Sequence, residues 1–221
     1  MKITTTFDVI IVGGGLAGLT SAIHLSSRKK RVLLIEKNEY PKHKVCGEYI
    51  SNEVLPYLNS LGIKPINEGA KQITKVHIST TKSNLIKGEL PLGGFGMSRY
   101  FLDNLLVKKA QLNGVQILKD TVDSIHFKKD SFTITTKSSG VFQSKITIGA
   151  FGKRSSLDQK MKRKFIQKKS PYLAVKIHVK GVFPENLVAL HNFKGGCCGV
   201  SKVEDNAINV CYITEYRSFK K

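Results

Sequence analysis

The 221-residue chain has little acidic charge, few cysteines and no long apolar segment, and each shortage excludes a class of protein. Only 16 Asp and Glu accompany 36 Lys and Arg, which gives a formal net charge of +20. Cys46, Cys197, Cys198 and Cys211 lack the paired spacing of a zinc site or a CxxC redox motif, so we expect reduced thiols and a cytoplasmic protein. No apolar run approaches transmembrane length, and the start of the chain lacks the pattern of a secretory leader.

The excess of positive charge has two explanations that stay open. Basic residues concentrate in two runs, residues 28–31 and residues 160–169. One explanation is attraction to an anionic surface such as phospholipid headgroups. The other is a lysine-rich composition that places Lys on every solvated face, and the dominance of Lys over Arg favours it. Nucleic acid is not an expected partner, because no basic and aromatic residues interleave as in RNA- or DNA-binding modules.

What is present is a dinucleotide-binding pattern near the start of the chain. Residues 7–12 form a continuous apolar run typical of a strand that is buried in a parallel sheet. Three glycines follow at the spacing of the GxGxxG motif. Gly13 allows a sharp turn, Gly15 leaves room for a pyrophosphate, and Gly18 lets the next helix pack closely on the sheet.

The residues after these glycines extend the pattern into a βαβ unit. A helix that begins with Leu16 and Ala17 would direct its free N–H groups and its positive dipole end at phosphates. A second strand over residues 32–35 ends at Glu36, whose carboxylate would accept hydrogen bonds from a ribose. An acid at this position favours FAD or NAD over NADP. We include the adjacent Lys37 in the predicted cofactor site.

Three further segments resemble the FAD-dependent oxidoreductases of the geranylgeranyl reductase and aromatic-ring hydroxylase (FAD-dependent monooxygenase) type, and the resemblance extends over essentially the whole chain. The segments are Glu39–Ser51 with its Cys-Gly-Glu sequence, Met97–Ala110 with an Arg and an Asp four residues on, and Ile148–Ser155. The third departs from the family pattern, because Phe151 stands where the family has Asp. In the hydroxylases that Asp is tied to flavin and nicotinamide handling, so the departure weakens the transfer of their NADPH mechanism and affects FAD binding less.

The resemblance implies FAD as the cofactor, with NAD(P)H as an electron donor. The residues that it adds to the cofactor site are Cys46, Gly47, Arg99, Val122, Gly149 and Gly152. Cys46 lies beside the isoalloxazine in this interpretation and is the candidate for a catalytic role, although a packing role is the alternative. Glu48 is a candidate for facing the substrate, and Asp103 is a candidate for capping or orienting the Arg99 helix. No residues form a metal site.

The predicted fold is α/β: a FAD-binding Rossmann-like domain of the glutathione-reductase type with a β-meander, joined to an incomplete mixed-sheet substrate domain. Residues 1–72 and 97–155 form the first domain, and residues 73–96 and 156–221 form the second. The Gly-Gly-Phe-Gly sequence of residues 93–96 is predicted to form a flexible turn. Residues 141–144 and 145–150 are predicted to form two separate strands.

The implied function is a FAD-dependent oxidoreductase that hydroxylates an aromatic or polyketide-like compound or reduces isoprenoid double bonds. Its expected substrate is a small molecule, which is a lipid if the protein is a reductase. The positive charge would favour a membrane-peripheral location within the cytoplasm. The family's second FAD motif, Gly-Asp-Ala-Ala, is not found, so we expect a C-terminal truncation that leaves apolar surface exposed. The alternative is a non-catalytic nucleotide-binding remnant or a basic module for an anionic surface. The sequence leaves the oligomeric state open.

Overall fold

The computed structural model describes residues 6–153, 155–168 and 170–219. Arg154 and Lys169, which belong to the third family-like segment and to the second basic run, lie outside the described residues. The described residues form two compact units. The first comprises the chain up to Lys42 together with Asp103–Lys168, and the second comprises His43–Leu102 together with residues 170–219.

The described residues form both helices and strands, and several strands follow one another without an α-helix between them. The elements of the N-terminal half are β1 (Thr6–Val12), α1 (Leu16–Ser27), β2 (Val32–Glu36), β3 (Tyr49–Ser51), α2 (Leu55–Ser60), β4 (Lys71–Ser79), β5 (Leu85–Gly96) and α3 (Arg99–Leu112). The remaining elements are β6 (Gln116–Lys119), β7 (Val122–Lys128), β8 (Ser131–Thr136), β9 (Val141–Gly149), α4 (Ser156–Lys160), β10 (Tyr172–Val179), β11 (Leu187–Phe193), β12 (Gly196–Lys202), β13 (Ile208–Glu215) and α5 (Tyr216–Phe219). Short 3₁₀ turns join several of them.

The sheet of the first unit has the strand order β6-β2-β1-β9-β8-β7. Strands β6, β2, β1 and β9 are parallel, whereas β8 and β7 continue the sheet as an antiparallel meander. The apolar run in β1 is buried on both faces, and Ile10 and Ile11 are fully inaccessible to solvent. The predicted α/β fold with a Rossmann-like βαβ unit and a meander is confirmed.

One strand of this sheet differs from the prediction. Residues 141–149 form the single strand β9, not two strands separated near residue 144. The reason is that β9 has a partner on each side. Its first part pairs antiparallel with β8, where Val141 lies opposite Thr135, and it runs parallel to β1 as far as Gly149 opposite Val12.

The second unit contains a seven-stranded mixed sheet in the order β10-β13-β12-β11-β4-β5-β3. Only β4 and β11 run parallel in it. The predicted domain division assigns residues 43–72 to the FAD-binding domain, whereas in the structure β3 pairs with β5 in this second sheet. The second compact unit therefore begins at His43.

The prediction of a turn at residues 93–96 is wrong, because these residues form the end of β5. A Cβ atom on Gly96 would lie 1.9 Å from the carbonyl oxygen of Lys202, and one on Gly94 would lie 2.5 Å from the Tyr49 ring. Glycine is therefore required at these positions because neighbouring chain segments approach the strand closely.

Some apolar side chains are exposed on the first unit. That such exposure results from a C-terminal truncation stays a prediction. Val9 and Ile146 are paired neighbours on β1 and β9 and face the same side of the sheet. Val9 is 3% exposed, whereas Ile146 is 55% exposed. Within the described ranges, no helix has the length and hydropathy needed to cross a membrane.

Candidate functional site

The glycine turn between β1 and α1 has the close geometry that the motif predicts. Gly13 has a φ of +106°, and a Cβ there would lie 2.3 Å from the carbonyl oxygen of Ala150. A Cβ on Gly18 would lie 1.9 Å from the carbonyl oxygen of Gly13. The start of α1 is therefore held against the carboxyl ends of β1 and β9, at a distance that only glycine permits.

The N-terminus of α1 carries no side-chain cap. Gly15 occupies the N-cap position with an extended backbone, and no side chain accepts a hydrogen bond there. The first N–H groups of a helix lack partners within the helix. Those of Leu16 and Ala17 are thus free of side-chain capping, and together with the helix dipole they suit a phosphate group.

Glu36 lies at the end of β2 and points to the glycine turn. Its Oε2 accepts the N–H of Gly14 at 2.7 Å, and its Oε1 accepts the N–H of Asn38 at 2.9 Å and the side-chain amide of Asn38 at 2.6 Å. These bonds fix the carboxylate beside the predicted phosphate site. The adjacent backbone leaves no room for a side chain, since a Cβ on Gly14 would overlap the Tyr40 hydroxyl.

Tyr40 closes this corner, and the sequence did not indicate its role. Its hydroxyl donates to the carbonyl oxygen of Gly14 at 2.6 Å. Burial, together with the charges of Glu36 and Asp103, raises the pKa of Tyr40 well above its usual range. The hydroxyl therefore stays protonated and remains a donor.

A cleft opens beside the glycine turn and brings three predicted cofactor residues together, Gly13, Lys37 and Val122. The other residues that line it are Val12, Ile35, Asp120, Thr121, Phe151, Ser155, Ser156 and Leu157. The Phe151 ring packs against the apolar core cluster that includes Val122 and Leu157. At the position of the family's Asp, this chain therefore has an aromatic ring in the core and no carboxylate.

Gly149 and Gly152 lie on either side of Phe151. A Cβ on Gly149 would lie 2.8 Å from the Phe151 ring, whereas Gly152, with a φ of +69°, has open space around it. Packing against Phe151 thus explains the glycine at position 149, and the positive φ explains the glycine at position 152. Their assignment to the cofactor site stays a prediction.

Asp120 is a buried carboxylate in the wall of the cleft, and the sequence did not indicate it. It accepts the N–H groups of Thr121 at 2.6 Å, Ser139 at 2.7 Å and Ser138 at 3.1 Å. Burial alone would raise its pKa, but hydrogen bonds from Ser139, Thr121 and Thr136 outweigh that effect and hold the pKa of Asp120 far below its usual range. Asp120 therefore ties the start of β7 to the turn between β8 and β9.

We expect Asp120→Asn to lower the free energy of unfolding by roughly 1.5–3 kcal/mol at about pH 7, since a carboxylate that accepts several N–H groups becomes a neutral amide. The folded-state pKa is depressed, so this stabilisation is present above the unfolded pKa of about 3.9 and is lost as the pH falls below it. Urea unfolding at about pH 7 and about pH 3 should show the difference between wild type and variant shrinking in acid. Asp123→Asn, at an exposed carboxylate paired with Lys160, should change stability little. A difference that stays constant with pH would contradict the assigned role.

The second unit contains Cys46, Gly47 and Arg99, the other predicted cofactor residues. The Asn209 amide donates to the carbonyl oxygens of Gly47 at 2.8 Å and Cys46 at 3.4 Å, which fixes this loop on β13. The Cys46 thiol is free and partly buried, and its Sγ accepts the N–H of Glu48 at 3.4 Å. This contact suits a loop-packing role, and a catalytic role for Cys46 stays a prediction.

The sequence suggested that Glu48 faces the substrate. In the structure this residue is instead fully buried. Its Oε1 accepts the N–H of Arg99 at 2.9 Å and the Nζ of Lys176 at 2.7 Å. Its Oε2 lies 2.6 Å from Nε2 of His178. The carboxylate is thus held at the N-terminus of α3, where the helix dipole favours negative charge.

Two histidines that belong to no sequence motif, His43 and His178, lie close together near Glu48. The rings of His43 and His178 lie 5.4 Å apart in an edge-on arrangement, and His43 also stacks on Tyr100 at 4.6 Å. Burial, with the positive charge of Lys176 and the neighbouring His178, lowers the pKa of His43. His43 and His178 are 135 positions apart in the sequence, so no local motif could have indicated the pair.

The N-terminal cap of α3 is Ser98 and not the predicted Asp103. The Ser98 hydroxyl accepts the N–H of Phe101 at 3.0 Å, and Glu204 binds both the Ser98 hydroxyl and its N–H. Asp103 lies within the first two turns of the helix and is buried.

Comparison with known proteins identifies the first part of the chain most clearly. Residues 8–45 match the family model described as FAD dependent oxidoreductase. A digeranylgeranylglycerophospholipid reductase of Methanothermobacter thermautotrophicus is 30% identical over 162 residues, which cover 68% of this chain and 40% of that protein. The chain therefore spans less than half the length of this curated relative.

Solved structures match nearly the whole chain in fold. A geranylgeranyl bacteriochlorophyll reductase-like protein of Thermoplasma acidophilum superposes with a TM-score of 0.79 at 18% identity, covering 97% of this chain and 58% of that one. A flavin-dependent brominase also superposes with a TM-score of 0.79 at 18% identity, covering 98% of this chain and 58% of its own. At this identity the likeness concerns the fold alone.

Proposed function

The chain belongs to the FAD-dependent oxidoreductases, and on that premise we propose that its first unit binds the ADP half of FAD, with the pyrophosphate at the start of α1 and the adenosine ribose at Glu36. The observation that carries the proposal is the Glu36 carboxylate, held 2.7 Å from the N–H of Gly14 at the uncapped helix. The glycine turn supports the same site, because it is a cradle that any Cβ would fill. When bound, FAD supplies the redox chemistry of the family.

The charge of Glu36 favours an unphosphorylated ribose. A 2′-phosphate at this position would bring two anionic groups together, which disfavours NADP in this site. The glycine turn would hold the cofactor mainly through its backbone N–H groups, so we expect its contribution not to depend on pH.

We expect Glu36→Gln to weaken FAD binding by roughly 10- to 100-fold, because a charge-assisted hydrogen bond to the ribose is replaced by a neutral one. The measurement is a titration of the 221-residue chain that follows quenching of FAD fluorescence, with ADP-ribose as a competitor. Glu39→Gln is the matched control, since this nearby carboxylate is exposed and pairs with Lys119. Equal affinity of wild type and Glu36→Gln would contradict the site.

For the reaction, we propose reduction of carbon–carbon double bonds in an isoprenoid lipid. The support is the 30% identity to a digeranylgeranylglycerophospholipid reductase. Hydroxylation of an aromatic or polyketide-like substrate is the second candidate. Phe151 argues against it, because an apolar ring packed in the core stands where the hydroxylase pattern has a carboxylate. NAD(P)H is the proposed electron donor.

Activity is tested separately from FAD binding. The FAD-loaded chain, chemically reduced without oxygen, should be reoxidised by digeranylgeranylglycerophospholipid with loss of substrate double bonds. A chain that binds FAD but leaves this lipid unchanged would support the non-catalytic alternative. A chain that does not bind FAD would overturn the cofactor site itself.

A further inference from the structure

The two basic runs of the first unit differ in what accompanies the charge. Residues 28–31 are exposed and contain no apolar side chain. In residues 160–168, by contrast, Met161 is 42% exposed and Phe165 is 58% exposed. Exposed apolar side chains within a cluster of positive charge are typical of segments that lie at a membrane interface.

The second run is held in place by buried contacts. Leu157 and Asp158 on α4 are buried in the first unit. The Asp158 side chain pairs with the Arg163 guanidinium at 3.2 Å, and the Asp158 carbonyl oxygen accepts the N–H of Arg163 at 3.0 Å. Met161 and Phe165 are thus presented on a turn that is already folded, which lowers the entropic cost of binding.

The charge around these two apolar residues is strongly one-sided. Residues 160–168 contain five basic residues and no acidic one: Lys160, Lys162, Arg163, Lys164 and Lys168. Two of them pair with carboxylates on the protein, Lys160 with Asp123 and Arg163 with Asp158. Lys162, Lys164 and Lys168 are exposed and lie close to Met161 and Phe165 in the sequence.

We propose that residues 160–168 form a docking surface for an anionic phospholipid bilayer, with Met161 and Phe165 entering the interface and the lysines contacting the headgroups. A lipid surface suits this combination better than a nucleic acid. Lys dominates the basic residues, and one of the two exposed apolar side chains, Met161, has no ring that could stack on a base. The docking surface is independent of the FAD site and goes beyond the proposed function. It would bring the protein to the place where a lipid substrate is found.

The test is co-sedimentation of the 221-residue chain with vesicles of phosphatidylcholine alone or mixed with phosphatidylglycerol. We expect binding to the anionic vesicles that weakens as salt is raised. Met161→Ser with Phe165→Ser should weaken it about tenfold or more, since apolar area no longer enters the interface. Lys162→Ser with Lys164→Ser should weaken it about tenfold or more, because two headgroup contacts are lost.

Matched controls separate this surface from general positive charge. Lys29→Ser with Lys30→Ser removes the same charge from the other run, and Leu112→Ser removes an apolar side chain that is 84% exposed. Both controls should bind vesicles nearly as wild type does. Equal losses in the Lys29/Lys30 control, unchanged binding of the Met161/Phe165 variant, or binding to RNA without binding to vesicles would each overturn the proposal. Thermal unfolding and FAD titration of each variant confirm that the fold is retained.

Discussion

Gly13→Ala is expected to cost about 2–5 kcal/mol of unfolding free energy and to abolish measurable FAD binding. An added Cβ would lie 2.3 Å from the Ala150 carbonyl oxygen and 2.5 Å from its carbon, both backbone atoms that cannot rotate away. Overpacking of this kind costs about 1–3 kcal/mol or more, and the φ of +106° adds about 1–2 kcal/mol of strain for a residue with a Cβ. Relief requires β1 and β9 to separate at the edge where the pyrophosphate would bind.

Gly140→Ala is the matched control for this substitution. Gly140 belongs to the same unit and has a φ of +95°, but nothing lies within 4 Å of an added Cβ. It should therefore show only the conformational cost of about 1–2 kcal/mol and keep FAD affinity. Urea unfolding and FAD titration of both variants separate strain from collision. Similar losses in the two variants would show that the contact with Ala150 is unimportant.

The second large effect is expected at Glu48. Glu48→Gln should lower the free energy of unfolding by about 3–5 kcal/mol, because it leaves the buried ammonium of Lys176 without a counter-charge. The Lys176 side chain is 6% exposed, so water cannot take over the role of the carboxylate. The amide still offers an oxygen to the N–H of Arg99, so the change isolates the charge from the helix cap. Urea unfolding followed by near-ultraviolet circular dichroism provides the measurement.

Two comparisons test this interpretation of Glu48. Glu185→Gln breaks an ion pair with Lys71 at a carboxylate that is 64% exposed, and it should cost about 1 kcal/mol or less. The double variant Glu48→Gln with Lys176→Gln should recover part of the lost stability, since the unpaired charge is removed. Glu48→Gln and Glu185→Gln variants of equal stability would disprove the buried network.

The βαβ unit and the meander were predictable because their signals are local. An apolar run, a glycine motif and a terminal acid within 36 residues specify the glycine turn and the position of Glu36. The end of β5 was not predictable in this way. Gly96 is needed because Lys202 approaches it, and a contact between residues 106 positions apart leaves no trace in a local pattern.

In the candidate site, too, features with a local sequence signal were predictable and features that depend on distant residues were not. Gly13, Lys37 and Val122, three of the predicted cofactor residues, line one cleft, and their role in cofactor binding stays a prediction. Asp120 was missed because a single Asp after a strand is typical of many turns, and only the fold brings Ser138 and Ser139 to it. The buried network of Glu48, a candidate for facing the substrate, was not predictable, because its partners Lys176 and His178 lie 128 and 130 residues away.

Strand β9 couples the unfolding of the β7–β8 hairpin to that of the parallel sheet in the first unit. It is hydrogen-bonded to β1 on one side and to β8 on the other, so the meander and the parallel sheet share one strand. A two-stranded hairpin such as β7 and β8 is marginally stable alone. Its backbone amides should therefore exchange with solvent deuterium together with those of β1, as one cooperative unit. Loss of the hairpin would then release the glycine turn as well, and protease cleavage in the meander would report on the integrity of the nucleotide site.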